Sequence, residues 1–411
     1  MQDILFWVLM FIAGHLLIGF YGNQYDLDQK DKNTLVLLFY YHIAISLFYG
    51  WLYYWKDAGF YWRGYGTRGI FGETWMDFYG INTHFIFFLN YPFTKIMNLN
   101  FYTGMVLYGL VGYLGFIYLF LIMKSRLPFN PRIGRFKLFP LILFLPNMHF
   151  WSSGIGKDSL CFFGLAWFFY GLLSPQRRLI QIGLSVALLY HVRPHMALIA
   201  LAGAGIALLL SGDLKPVYKT FAVMVLIASS YLIFDQVFAF LGIEDPSSME
   251  SFEALADAQI DFLNRSSVGS AVDLASYSWP MRLFTYLYRP LFFDAHNFTS
   301  FLASFENFIY LILTLVVLVE VNLIKAWKSM PTVVKGGFIA FAGSAVAFSN
   351  SLSNLGIIMR MKNMTMIYFL IFIVFALSYQ QYEVYKQKKR RMEFFKAKRA
   401  MRIKEVSGEP D

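Results

Sequence analysis

The chain has one cysteine and few charges, and it lacks the common signatures of nucleotide and zinc enzymes. With Cys161 as its only thiol, neither a disulfide framework nor a thiolate metal site is possible within one chain. Cys161 falls in an apolar run and reads as a small buried hydrophobe. No His-Glu-x-x-His, nucleophile elbow or zinc-ligand spacing occurs. Gly154-Ile155-Gly156-Lys157-Asp158 resembles the end of a phosphate loop. However, Trp151 stands where the first glycine belongs, and Asp158 where a hydroxyl would hold magnesium, which excludes a nucleotide site. Charged residues make up 15% of 411 positions, against 58% hydrophobic and 20% aromatic, a balance that excludes a soluble domain.

Apolar runs recur from end to end, approaching the roughly 20 residues needed to cross a bilayer, whereas a cleavable signal would give one short run near the start. Eleven candidate spans lie near 4–20, 34–55, 101–123, 138–151, 159–174, 179–192, 196–211, 220–242, 300–324, 336–353 and 363–379. The expected fold is therefore all-α and polytopic, with several spans short or broken. Residues 1–385 form the membrane domain, with loops at 56–100 and 243–299, and residues 386–411 a basic tail. Pro140 and Pro146 interrupt span four, and non-helical backbone at membrane depth requires protein or a water-filled cavity to satisfy it. Thr83–Phe93 is too short to span and reads as re-entrant or interfacial.

The net charge is +10, but ten of the basic residues lie between Lys386 and Lys404, just after the last apolar run. Such a tail meets anionic lipid; nucleic acid is not expected. With the tail inside and the spans alternating, 24 of 35 basic residues become cytoplasmic. The loop from Ile243 to Thr299 then lies outside, with eight acidic residues against Arg265, Arg282 and Arg289.

This topology puts five polar clusters on the outer face. They are Lys56–Arg63 with Asp57 and Tyr61, Trp151–Ser159 with Lys157 and Asp158, and Arg193-Pro194-His195. The other two are Tyr288–Asn297 with Arg289 and His296, followed by Glu306 and Asn307, and Asn354–Lys362 with Arg360. Ionisable residues at span ends are costly to desolvate and usually face a cavity or a partner. Each also has an ordinary reading. Arg360 and Lys362 can snorkel, Trp55, Trp62 and Trp279 can be belt residues, and His191 can simply pack. Lys157 and Asp158 can neutralise each other, and Asp57 can merely pair with Lys56 or an outer arginine. Asp26-Leu27-Asp28 has the carboxylate spacing of a metal–nucleotide-sugar site, but it lies on the opposite side and reads as a solvated loop. Gly104, Gly109, Gly112 and Gly115 form a small-residue face suited to helix packing.

A prenyl-diphosphate-linked sugar presents an anionic diphosphate at the membrane boundary, a glycan above it and a tail in lipid. Arginines hold phosphate, a carboxylate or histidine deprotonates an acceptor hydroxyl, and aromatic faces stack on sugars. Asp57 and His195 are the candidate bases. Arg193 and Arg289 are expected on the diphosphate, with Lys157, Asp158, Tyr61, His296, Glu306 and Arg360 completing the binding surface.

The motifs Asp57–Tyr61, Phe150–Asp158, Arg193–His195, Arg289–Asn297 with Glu306, and Asn354–Arg360 resemble polytopic O-antigen and exopolysaccharide polymerase-like proteins of bacterial surface-polysaccharide clusters. More distantly, they resemble multi-spanning glycosyltransferases that use lipid-linked donors. The resemblance implies an inner-membrane enzyme that polymerises or transfers an undecaprenyl-diphosphate-linked glycan at the outer face without a cofactor, nucleotide or obligatory metal, with membrane lipid and polysaccharide-assembly proteins as partners. Those glycosyltransferases usually carry a carboxylate after the first span, whereas Asp57 follows the second. A transporter or flippase is the alternative, since it also places charges in a cavity and uses discontinuous helices. Against it, no internal repeat is visible and the polar residues gather at one face. A non-catalytic partner of an export machine would not need five convergent clusters.

Overall fold

The computed structural model describes residues 1–64, 72–210, 276–295, 297–352 and 354–407, with Val272 and short stretches between 215 and 231. Apart from a two-residue hairpin, Arg132–Ile133 against Phe136–Lys137, its regular structure there is helical. Six helices are long and apolar enough to cross a membrane. They are α1 (Gln2–Gln24), α2 (Gln29–Tyr53), α5 (Phe101–Arg126), α12 (Phe298–Glu320), α14 (Thr332–Ser351) and α15 (Leu355–Ser407). Between them lie α3 (Asp57–Arg63), α4 (Thr83–Tyr91), α6 (Leu138–Leu141), α7 (Pro146–Ser152), α8 (Lys157–Gly171), α9 (Leu179–Val192), α10 (Pro194–Leu209), α11 (Trp279–Tyr288) and α13 (Leu323–Ser329).

The eleven expected spans thus resolve into six long helices and several shorter apolar ones. The fourth, 138–151, is not one helix: it is α6, a 3-10 turn at Ile142–Phe144 and α7, because Pro140 and Pro146 each remove a backbone donor. Span eight, 220–242, and most of the loop 243–299 lie outside the described residues. The described end of that loop carries α11. Helix α15 runs without a break from the last apolar run into the basic stretch that starts at Lys386, as far as Ser407. No glycine or proline occurs between residues 357 and 407 to stop that helix.

Caps explain several helix starts. Asp28 accepts from the Asp31 backbone N–H at 2.7 Å, so half of the Asp26–Asp28 motif is the N-cap of α2. Asn100 caps α5 and is itself tied to α1, where Asp3 accepts from the Asn100 N–H at 2.9 Å. The small-residue face of α5 packs as its sequence implies: Gly104 meets the Trp62 ring, Gly109 meets Ser46 and Gly115 meets Phe162. At Gly112 a Cβ would overlap the Ser152 carbonyl, so only glycine lets α7 approach α5 this closely.

Candidate functional site

Two Arg-Pro steps set the polar end of the bundle. Proline restricts the residue before it to extended backbone and is well suited to open the next helix. Arg193 accordingly sits at φ −154°, ψ 96° between α9 and α10, which begins at Pro194. Arg289 is likewise extended, at φ −96°, ψ 152°, where α11 ends. Both corners turn an arginine out of helical register and into the structure.

Arg193 is buried and gives Nη2 to Asp158 Oδ1 at 2.7 Å, while its Nη1 lies 2.7 Å from Met361 Sδ. Asp158 is in the first turn of α8, where the helix dipole favours a carboxylate. Gly156, at φ +146°, makes the turn into α8, and Ser159 Oγ closes it on the Gly154 carbonyl at 2.7 Å. The second oxygen of Asp158 accepts from Arg360 Nε of α15. Arg360 Nη1 reaches Asp57 Oδ2, at the start of α3, at 2.6 Å. Four of the five polar clusters named from sequence therefore meet in one chain of ion pairs, Asp57–Arg360–Asp158–Arg193. Tyr61 is buried against Gly156, and Lys157 follows directly.

The fourth cluster sits alongside it. Arg289 forms a fork with Asp294, Nε to Oδ2 at 2.9 Å and Nη2 to Oδ1 at 2.5 Å, and gives Nη1 to the Tyr277 hydroxyl at 3.0 Å. The fork on Asp294 holds the Arg289 guanidinium even further above its ordinary pKa. Lys362, fully buried on α15, donates to the Leu287 and Arg289 carbonyls at 3.2 Å each and to Asn307 Oδ1 at 2.7 Å. Glu306 accepts from the Asn147 backbone N–H at 2.6 Å and from Tyr310, which ties α12 to the first turn of α7. His296 lies outside the described residues.

A cavity of about 800 Å³ lies between α2, α7, α12 and the start of α15. Ile45, Phe48, Leu52, Phe150, Leu302 and Phe305 give it apolar walls, Lys56, Asn297, Asn354 and Arg360 give it a polar end, and Asn147 lines it at the other end of α7, where its N–H meets Glu306. Phe48, Leu302 and Phe305 of this lining are exposed, so the apolar wall of the cavity is open and not sealed within the bundle. Trp151 stands at the boundary of the two zones, with the Arg360 guanidinium 6.0 Å from its ring.

The residues singled out from sequence are not equivalent in this geometry. Arg360 lines the cavity and Asp57 follows the cavity-lining Lys56. Arg193 and Arg289, expected on a diphosphate, are each already held by a carboxylate. His195 is buried where α10 meets α14, its ring edge-on to Phe348 at 6.0 Å, and is not among the residues lining the cavity.

Sequence reading missed one buried polar pair. His42 of α2 and His149 of α7 meet Nδ1 to Nδ1 at 2.7 Å, and His149 Nε2 lies 2.6 Å from the Leu143 carbonyl. A carbonyl only accepts, so His149 Nε2 carries a hydrogen; with both rings neutral, His42 Nδ1 is the donor between them. The pair pins the broken fourth segment to α2. Neither histidine lies in a sequence pattern that signals the contact.

No family model, curated protein or solved structure matches this chain. Among the described residues no group of three or more His, Cys, Asp or Glu side chains is placed to hold a metal.

Proposed function

We propose that the protein polymerises or transfers an undecaprenyl-diphosphate-linked saccharide at the extracytoplasmic face of a bacterial inner membrane. The observation that carries this reading is a cavity with an open apolar wall and a polar lining of Lys56, Arg360, Asn297 and Asn354. A prenyl chain fits the apolar wall, a diphosphate the cationic end, and a glycan the aromatic and amide groups around it. Asp57, at the edge of the polar end, is the residue best placed to take a proton from an acceptor hydroxyl. The protein then needs no nucleotide, because the activated bond arrives with the lipid. The test is turnover by the purified protein in lipid nanodiscs supplied with a synthetic lipid-linked repeat unit. Longer lipid-linked products and released undecaprenyl diphosphate are expected. Absence of both, with movement of the lipid-linked glycan across a vesicle membrane, would place the protein with transporters instead.

The orientation is part of the same proposal and has its own test. Arg360 lies near the start of α15 and Lys386 roughly 39 Å further along it, at 1.5 Å per residue. The site and the basic stretch are thus separated by more than the roughly 30 Å hydrocarbon core of a bilayer. Positive charge is retained inside, which puts the site outside. The sole native cysteine is buried, so single cysteines introduced at Lys56 and at Lys396 give clean signals. In intact spheroplasts a membrane-impermeant thiol reagent is expected to label the first and spare the second; the reverse pattern would refute the orientation.

A further inference from the structure

Arg360 joins two carboxylates that differ in every respect relevant to exchange. Asp158 is held by both Arg360 and Arg193, and its side chain is 7% exposed. Asp57 is 47% exposed, and among the described residues its one hydrogen-bonding partner is Arg360 Nη1. Arg360 also lines the cavity, whereas neither aspartate does. Among the described residues the charges are unequal as well: Lys157, Arg193 and Arg360 stand around Asp158 and Lys56 precedes Asp57, four cations to two carboxylates. Lys157 makes no ion pair among the described residues, although it lies within electrostatic reach of Arg193, Asp158 and Arg360.

We propose that Asp57 acts as a latch on Arg360, and that the anionic head of a lipid-linked ligand displaces it. This rests on the reading that the cavity takes a lipid diphosphate. Phosphate oxygens offer Arg360 the same planar pair of acceptors as a carboxylate and bring more charge to a site with cations in excess. Of the two carboxylates on Arg360, the one with a single bond and access to water gives way. Asp158 stays and holds the guanidinium in place while its partner changes. The displaced Asp57 carboxylate is then released from its guanidinium partner beside the cavity, so that ligand binding itself exposes the group that can accept a proton.

The exchange predicts an effect opposite in sign to that of a structural ion pair. In nanodiscs, affinity is measured for farnesyl diphosphate, for farnesol and for inorganic pyrophosphate. Asp57→Asn removes the competing charge, so farnesyl diphosphate is expected to bind roughly two- to fivefold more tightly, in keeping with the modest worth of a half-exposed pair. Arg360→Ala, or Arg360→Lys if the alanine variant does not fold, is expected to weaken it about tenfold or more. Farnesol should not distinguish the variants, and pyrophosphate should bind more weakly than farnesyl diphosphate but rank them alike. Unchanged or weaker farnesyl diphosphate binding by Asp57→Asn, with farnesol binding intact, would overturn the latch. Equal affinity for pyrophosphate and farnesyl diphosphate would overturn the assignment to a lipid-borne anion. Failure of the glycan reading shows separately, as absent turnover of a lipid-linked repeat with this binding pattern preserved.

Discussion

Replacing Asp158 with alanine is expected to lower stability by about 3–5 kcal/mol, the usual consequence of stranding buried charge. Asp158 is the one carboxylate between Arg193 and Arg360, and all three side chains are largely buried. Without it, Arg193 keeps only the thioethers of Met361 and Met364, which are weak acceptors. Arg360 would retain Asp57, its more exposed partner. Lys157, Arg193 and Arg360 would then repel one another in a poorly solvated space. Asp158→Asn keeps the volume and one acceptor but not the charge, so it should lie close to alanine. The double variant Asp158→Leu with Arg193→Met removes charge on both sides and is expected to recover much of the loss. Thermal unfolding in detergent, followed by tryptophan fluorescence, checks the ordering. A loss below about 1 kcal/mol for Asp158→Ala would mean that the pair behaves as an exposed one.

The gathering of Asp57, Asp158, Arg193 and Arg360 at one end was legible in sequence because alternation of spans is a counting rule. Residues at alternate span junctions share an end whatever the packing between them. The two corner arginines were legible for a local reason, since a proline restricts its predecessor wherever it occurs. What stayed hidden was the pairing. Whether Arg193 faces an open cavity or a buried aspartate depends on contacts between residues 35 positions apart, and for Arg360 and Asp57 the separation is 303. Composition carries no trace of such distances. The same limit concealed the His42–His149 contact and the anchoring of Lys362 on Asn307. The number of spans was less legible for another reason: short apolar runs read alike whether they cross a bilayer, break at proline or pack inside a bundle. Gly104 through Gly115 succeeded where the histidines failed, because repeated small residues mark a face before any partner is known.

Asp57→Asn is expected to reduce turnover of a lipid-linked repeat by about 10²–10⁴-fold, the typical contribution of a positioned base, while tightening binding of the diphosphate. A sugar hydroxyl is a poor nucleophile at neutral pH, and the proposed transfer would require a group that accepts its proton as the new glycosidic bond forms and the lipid diphosphate leaves. Asp57 is the carboxylate at the cavity edge that is not buried between two arginines, and asparagine matches its shape without its basicity. His195, the other candidate base, is buried and is not among the residues lining the cavity, so His195→Ala is expected to cost stability and leave turnover per folded molecule within about threefold. Loss of rate combined with gain of affinity is the combination that a purely structural role for Asp57 does not produce. A folding defect would weaken both, and removal of a substrate contact would raise KM with kcat unchanged. Single-turnover rates at saturating lipid-linked repeat, normalised to protein that remains monodisperse, separate these cases. Near-parental rates for Asp57→Asn would remove it as the base and leave the Arg360 latch to be judged on binding alone.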